Sequence, residues 1–227
     1  MKAIYHTPRS SFELCKDLGF THVNLTLWTY LNLTEAKDAW DYAHSLGLHA
    51  IISESADIVS GPSIVELLRA VHGCPSCIIY MSDEPNRRKI LPQIIASASR
   101  VYQGLGWKTL CVLSDIGGYG GYENCASFIG FVNYEDLTFW RSLKLWAKIK
   151  MFQIKNRSSI IAVPPIKPRF ILPHFDWWQK WIKPYGFYWF QFHPQEEIPP
   201  WASTSVSKLP EVKIVLKIIN NEIEKVK

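Results

Sequence analysis

Eight short apolar runs divide this chain, and longer amphipathic stretches lie between most of them. Parallel strands that are buried on both faces show nearly continuous apolar runs instead of strict alternation. We therefore predict eight parallel strands. They cover residues 3–6, 21–28, 48–55, 77–83, 109–115, 127–133, 159–163 and 186–192.

Helical spacing of apolar residues fills most of the gaps between these strands. The predicted helices cover residues 10–18, 34–46, 63–72, 87–105, 135–151, 173–183 and 210–226. Only the gap between the fifth and sixth strands has no helical pattern. It contains the run Gly117-Gly118-Tyr119-Gly120-Gly121, which lacks the glycine order of a phosphate-binding loop. We interpret it as a lid or as a close backbone approach to a ligand.

Strand–helix alternation repeated eight times predicts an α/β fold, a single (β/α)8 TIM barrel that occupies residues 1–227 as one domain. The alternative is a doubly wound open sheet, which often carries a GxGxxG motif after its first strand. The residues at that place are Thr7-Pro8-Arg9-Ser10, so the motif is absent.

The charge and the apolar content of the chain indicate which classes of binding partner to expect. The formal net charge is +5, but the basic residues are dispersed and no nucleic-acid-binding motif accompanies them, so we expect no nucleic-acid partner. No stretch of 18 apolar residues exists, and the N-terminus lacks an apolar leader. We therefore expect a cytoplasmic protein without a membrane partner.

The five cysteines favour a reducing compartment, because their number is odd and no leader precedes them. Cys74 and Cys77 have CxxC spacing, but no second pair completes a zinc site. We expect buried thiols or a local disulfide there.

Candidate site residues lie at or near the C-terminal ends of the predicted strands, where barrel enzymes carry their catalytic groups. Carboxylates and amides bind sugar hydroxyls, and aromatic rings stack on sugar rings, so these residue types predict a carbohydrate substrate. The candidates are His6, Trp28, Glu54, Tyr80, Asp83, Glu84, Asp115, Asn133, Tyr134, Trp189 and His193.

The fourth strand ends in two adjacent carboxylates, Asp83 and Glu84, followed by Pro85. Such residues also begin helices, with an acid as the cap and proline in the first turn. Neighbouring strand residues point to opposite faces. The two carboxylates therefore reach one pocket only if the chain turns there, as a helix start after Pro85 would allow.

The sequence Ile-Tyr-x-x-Asp-Glu-Pro at residues 79–85 resembles the fourth strand of two groups of barrel glycoside hydrolases. One group ends this strand in Asn-Glu-Pro, which implies that Glu84 is the acid/base and that Asp83 replaces the asparagine. That group also has a nucleophilic glutamate after strand seven, where this chain has Pro164 and Pro165.

The second group is hexosaminidase-like and carries an adjacent Asp-Glu pair. In these enzymes the 2-acetamido oxygen of the substrate attacks the anomeric carbon, so no protein nucleophile is needed. This resemblance implies that Asp83 orients the acetamido group and that Glu84 is the general acid/base.

Three alternatives stay open. Glu54 or Asp115 is a possible second carboxylate, with a separation of about 5 Å for retention or roughly 6.5–9.5 Å for inversion. The barrel could also bind carbohydrate without turnover. A metal-dependent enzyme could use His6, Glu54, Asp83, Asp115 and His193, although no His-x-His or HExxH spacing supports it. We expect no metal and no cofactor.

Overall fold

The strands form a closed parallel barrel in the order β1 to β8, which confirms the predicted fold. The computed structural model describes residues 1–5, 7–53, 63–71, 77–114, 118–132, 138–164, 171–189, 216–217 and 219–221. The strands are β1 (Lys2–Ile4), β2 (His22–Thr26), β3 (His49–Ser53), β4 (Ile78–Asp83), β5 (Lys108–Ser114), β6 (Phe128–Val132), β7 (Ser159–Val163) and β8 (Gly186–Trp189).

Six α-helices lie between strands in the described ranges. They are α1 (Phe12–Asp17), α2 (Leu33–Ser45), α3 (Ile64–Ala70), α4 (Pro92–Gly104), α5 (Phe139–Lys155) and α6 (Ile171–Trp181). Short 3-10 turns precede α1 at Arg9–Ser11 and follow β2 at Leu27–Thr29. Of the helix predicted at 210–226, the described residues 216–217 and 219–221 are helical.

The predicted start of the fourth helix, residue 87, is wrong, because α4 begins five residues later at Pro92. Turns occupy the intervening residues, where the N–H groups of Arg87 and Arg88 both donate to the Glu84 carbonyl. Leu91 is extended, with ψ of 133°, because a following proline disfavours helical backbone. The chain therefore makes a separate loop after β4 before it enters the helix.

The chain divides into two compact units, residues 1–80 with 191–227 and residues 81–190. In the first unit the rings of Tyr5 and Tyr80 lie 6.0 Å apart, although β2 and β3 separate their strands. Such a contact crosses the interior of the barrel. Because side chains alternate along a strand, the interior face of β4 carries Ile78 and Tyr80.

In the second unit the outward face of β6 is marked by Phe131, whose ring lies 5.2 Å from that of Phe152 in α5. The opposite face carries Gly130, and a Cβ there would lie 2.8 Å from Val163 Cγ2 and 2.9 Å from Val112 Cγ2. The absence of a side chain at Gly130 therefore lets β5, β6 and β7 pack their inward-facing valines closely.

The described part of the connection between β5 and β6, residues 118–127, contains no helix, as the sequence predicts. Tyr119 and Tyr122 are buried there; the Tyr119 ring contacts Phe131 and Phe152, and the Tyr122 hydroxyl donates to the Ile90 carbonyl. The lid interpretation of the glycine run is therefore wrong for Tyr119, the tyrosine within that run. Both tyrosines pack on the outer side of the sheet, where a helix would otherwise cover it.

Candidate active site

Glu84 directly follows β4 and is the most unusual residue at the C-terminal strand ends that the structure describes. Its φ is +47°, a left-handed conformation that costs a non-glycine residue about 1–2 kcal/mol. Its N–H donates to the Val112 carbonyl at 2.8 Å, which anchors it beside β5. The chain therefore turns at Glu84 itself. The helix-cap interpretation of Asp83 and Glu84 is wrong, because α4 begins only at Pro92.

The carboxylate of Glu84 is only half used by the described residues. Arg87 Nη1 donates to Glu84 Oε2 at 3.1 Å, and the pair is an ion pair. Glu84 Oε1 is buried and accepts no hydrogen bond from any residue the structure describes. Burying a carboxylate oxygen without a donor is costly, so such an atom calls for an explanation. A ligand hydroxyl would supply the missing donor.

Asn86 braces the loop that carries Glu84. Its Nδ2 donates to the Ser114 carbonyl at 2.8 Å, and its Oδ1 accepts from the Ser114 N–H at 2.9 Å. One side chain thus satisfies both backbone groups at the last residue of β5. Neither Asn86 nor Arg87 is among the residues predicted from the sequence, and the one available signal for them is their position directly after the Asp-Glu-Pro motif.

Asp83 is half-buried and is the last residue of β4. Strand alternation places it on the face opposite Tyr80. The pKa of the Cys111 thiol is raised by a hydrogen bond with Cys125 and by burial, and the charge of Asp83 adds to this shift. Cys111 lies two residues before Leu113, the register partner of outward-facing Phe131. The side chain of Asp83 therefore lies on the helix side of the sheet. Because the chain turns at Glu84, the side chains of these two neighbouring residues point in different directions.

Two candidates lie in the unit formed by residues 1–80 and 191–227. Tyr80 is buried on the interior face and packs against Tyr5. Trp28 is half-buried in the 3-10 turn that follows β2. Their role as pocket walls stays a prediction.

A polar network on the same interior face links β2 and β3. Asn24 Nδ2 donates to Ser53 Oγ at 3.1 Å and to the Ile51 carbonyl at 3.0 Å, and Thr26 Oγ1 donates to Asn24 Oδ1 at 2.7 Å. All three side chains are buried. Because Asn24 has its donors and its acceptor in use, this network holds the strands together and offers little to a ligand.

Trp189 is not a pocket wall, contrary to the prediction. Its side chain is fully buried, and its ring stacks on Phe187 with centroids 5.6 Å apart. Phe187 in turn contacts Phe175 of α6 at 5.2 Å. Residues 187 and 189 share one strand face, so the ring of Trp189 belongs to the packing between β8 and the helices.

The remaining candidates stay predictions because they lie outside the described residues. They are His6, Glu54, Asp115, Asn133, Tyr134 and His193. Within the described ranges no group of three or more His, Cys, Asp or Glu residues is arranged to hold a metal ion. Of the five residues proposed as an alternative metal-ligand set, only Asp83 lies within the described ranges.

Four cysteines are buried thiols: Cys15, Cys77, Cys111 and Cys125. Burial raises the pKa of Cys15 far above its ordinary value. Cys74, the other half of the CxxC motif, lies outside the described residues. No helix in the described part of the chain has the length and apolar character needed to cross a membrane.

Comparisons with known proteins support the fold. No protein-family model and no curated protein matches the sequence. A GH113 β-1,4-mannanase structure is 13% identical, with a TM-score of 0.63 over 97% of this chain and 98% of that one.

Two further solved structures match over nearly the whole chain. The active domain 2 of a chitinase from Pyrococcus furiosus is 12% identical, with a TM-score of 0.58 over 99% of this chain and 95% of that one. A truncated 3-deoxy-D-arabino-heptulosonate 7-phosphate synthase from Thermotoga maritima is 10% identical, with a TM-score of 0.60 over 100% of this chain and 86% of that one. At these identities the likeness is one of fold, a (β/α)8 barrel that glycosidases and other enzymes share.

Proposed function

We propose that this protein is a glycoside hydrolase in which Glu84 is the general acid/base. The observation that carries the proposal is the buried Oε1 atom of Glu84, which follows β4 and has no hydrogen-bond donor among the described residues. Barrel enzymes carry their catalytic groups at this end of the strands. A sugar hydroxyl placed there would donate to Oε1 and supply the missing hydrogen bond.

The structural neighbours add modest support. Two of the three solved structures above are named as glycosidases, but the third is a synthase, so the barrel alone does not select the reaction. The selection comes from the Asp-Glu-Pro ending of β4 and from the buried Oε1 atom of Glu84, which has no donor among the described residues.

In the proposed reaction Glu84 gives a proton to the leaving glycosidic oxygen as the bond from that oxygen to the anomeric carbon breaks. Glu84 then takes a proton from the water that replaces the leaving group. Asp83 is proposed to orient a 2-acetamido group whose oxygen bonds to the anomeric carbon as the leaving group departs. The water then attacks the same carbon, and the bond from the acetamido oxygen to that carbon breaks. Because Asp83 begins on the opposite strand face from Tyr80, this role requires the turn at Glu84 to bring the two carboxylates to one substrate.

Arg87 occupies one of the two carboxylate oxygens of Glu84. Its guanidinium donates to Oε2, so this oxygen can exchange a proton with a substrate only when the pair opens. The Arg87 side chain is 56% exposed, so it can turn into solvent when a substrate enters. Substrate binding would thus release the Glu84 carboxyl group for proton transfer.

A second candidate function is carbohydrate binding without turnover. It is favoured by the end of β7, where the described residues Ala162, Val163 and Pro164 are buried and offer no carboxylate. A barrel with one usable acid would keep a sugar pocket and lack a conventional second catalytic group.

The test is hydrolysis of a panel of chromogenic glycosides, with and without a 2-acetamido group. The enzymes are the unmodified protein, Glu84→Gln and Asp83→Asn. The matched controls are Glu13→Gln and Asp38→Asn, which change exposed acids on the unit that lacks Glu84. We expect Glu84→Gln to lose about 10²–10⁴-fold in kcat/KM, because the proton-transfer group is gone.

The outcomes separate the candidates. A requirement for the acetamido group, lost in Asp83→Asn, supports substrate assistance. Cleavage of plain glycosides that survives Asp83→Asn points to Glu54 or Asp115 as the second acid. Full activity in Glu84→Gln contradicts the proposal. Saccharide affinity without hydrolysis, unchanged in Glu84→Gln, supports the binding function.

A further inference from the structure

The outer face of α5 is apolar although it is exposed. We use this name for Trp140, Leu143, Ala147, Met151 and Ile154, whose spacing of three and four residues places them on one side of the helix. Trp140 is 75% exposed, Met151 70% and Ile154 85%. The helix therefore has an apolar side that the rest of the described chain does not cover.

The opposite side of α5 already packs on the protein. Leu145, Ile149 and Phe152 are buried, and the Phe152 ring meets Phe131 of β6. An ordinary surface helix has one apolar side, which faces the core, and a polar outer side. The outer face of α5 is therefore not needed for packing within the described part of this unit.

The charged residues of α5 are all basic. The helix carries five cations and no acid, and its cations are Arg141, Lys144, Lys148, Lys150 and Lys155. No Asp or Glu occurs anywhere in residues 137–175. The unit of residues 81–190 holds fifteen of the 25 Lys and Arg residues but only seven of the 20 Asp and Glu residues.

The cations are placed at the edges of the apolar side. Lys144 and Lys155 line one flank, and Lys150 lies on the other. The ammonium of Lys148 lies 5.5 Å from the centre of the buried Tyr119 ring, so Lys148 faces the protein and is not counted here. Long lysine side chains can extend from such positions to a polar boundary while their stems lie along apolar surface. At its exposed start the helix also has Phe139 and Trp140, with ring centroids 5.2 Å apart.

We propose that the outer face of α5 binds the surface of membranes that contain anionic lipids. The helix lies in the plane of the interface, with Trp140, Met151 and Ile154 among the upper acyl chains and the lysines at the lipid headgroups. The apolar residues span about 21 Å, at about 1.5 Å of rise per residue. Five charges prevent this helix from crossing the bilayer.

Charge complementarity favours a lipid surface as the occupant. A membrane presents uniform negative charge above an apolar layer, which matches a convex helix with cations on both flanks. A protein partner would need an apolar groove with acids along both edges. The expectation of no membrane partner rested on the absence of a spanning segment, and a helix lying on the surface is a different case.

The test is co-sedimentation of the whole protein with vesicles of phosphatidylcholine alone and with increasing phosphatidylserine. One variant removes apolar contacts, Trp140→Ser with Ile154→Ser, and a second removes charge, Lys144→Gln with Lys155→Gln. Val101→Ser with Leu105→Ser is the matched control, because both residues are comparably exposed apolar residues around α4. Far-UV circular dichroism and thermal unfolding confirm that each variant is folded.

We expect binding to rise with the phosphatidylserine fraction and to fall with added salt. Each lost cation should weaken binding roughly fivefold. The apolar variant should bind weakly, and the α4 control should bind like the unmodified protein. Absence of binding to phosphatidylserine vesicles, or equal binding by the charge variant, contradicts the proposal. Binding of polyglutamate but not of vesicles would also overturn it and would identify an acidic protein as the partner.

Discussion

The side chain of Asn86 hydrogen-bonds both backbone groups of Ser114. Its Nδ2 donates to the Ser114 carbonyl at 2.8 Å, and its Oδ1 accepts from the Ser114 N–H at 2.9 Å. Asn86 lies in the loop after β4, and Ser114 ends β5. This pair therefore holds the loop that carries Glu84 against the neighbouring strand. The Asn86 side chain thus makes the two backbone hydrogen bonds that a residue of a neighbouring strand would otherwise make.

The Asn86 brace predicts a loss of stability on substitution. Asn86→Ala leaves the buried backbone groups of Ser114 without these bonds and should cost about 1–3 kcal/mol of the free energy of unfolding. Asn86→Asp keeps the acceptor but turns a second oxygen toward the Ser114 carbonyl, so it should also lose stability. Chemical denaturation measures both. Equal stability of Asn86→Ala and the unmodified protein would mean that the brace contributes nothing.

The left-handed backbone of Glu84 predicts a difference between two truncations. Glu84→Gly and Glu84→Ala both remove the carboxylate, but only glycine adopts a φ of +47° without steric cost. The glycine variant should therefore be more stable than the alanine variant by about 1 kcal/mol. Urea denaturation of the two proteins gives the comparison, and neither should hydrolyse a glycoside. An alanine variant as stable as the glycine variant would argue against strain at this position.

Gly130 predicts a steric effect of a single methyl group. Gly130→Ala places a Cβ 2.8–2.9 Å from Val163 and Val112, so one of these strands must shift, and we expect a loss of about 1–3 kcal/mol. Gly104 in α4 is the matched control, because nothing lies within 4 Å of its Cβ position. Gly104→Ala should be neutral or stabilising, since alanine favours the helix. Thermal unfolding of the pair tests the opposite signs.

His49 predicts a loss of stability in mild acid. Burial lowers its pKa below the ordinary value of 6.5, and the charge of His44 lowers it further. The unfolded chain therefore takes up the proton first as the pH falls. The contribution of His49 is complete above pH 6.5 and is lost as the pH falls from 6.5 through the lower pKa of the folded state.

Urea denaturation at pH 7.5, 6.5 and 5.5 measures this effect. Replacement of His49 by glutamine should make the profile flatter over that range. His22, whose ring lies 5.1 Å from that of His49, is the nearest titratable neighbour that the structure shows on the adjacent strand. An unchanged slope in the variant would assign the acid sensitivity to other groups.

Local sequence patterns were sufficient to predict all eight strands, because parallel barrel strands are apolar on both faces. Boundaries were less exact. The start of the predicted helix at 87–105 was placed too early, because the turns after Glu84 lack the helical spacing of apolar residues. The helix begins at Pro92, which follows the extended residue Leu91. Trp189 failed for another reason: its strand is buried on both faces, and only the packing of Phe187 on α6 shows which side its ring occupies.

The two carboxylates of the candidate site were predictable from the sequence, but the contacts around them were not. Two adjacent acids after an apolar strand mark Asp83 and Glu84 in the sequence, since charge at a buried strand end is unusual. The Arg87 ion pair, the Asn86 brace and the left-handed turn depend on where the chain goes after β4. Similarly, the sequence shows that α5 is basic, but only exposure shows that its second apolar side is uncovered.

The alternation of strands and helices, the barrel class and the position of the two carboxylates can all be recognised in the amino-acid sequence. Periodicity and residue type act over a few neighbouring residues, so these features can be recognised locally. Long-range packing was needed to show that Glu84 Oε1 is buried without a described donor, that the ring of Trp189 packs with Phe187 on the helix side of β8, and that Trp140 and Ile154 are exposed. Each of these depends on contacts between residues far apart in the chain, which local pattern does not contain.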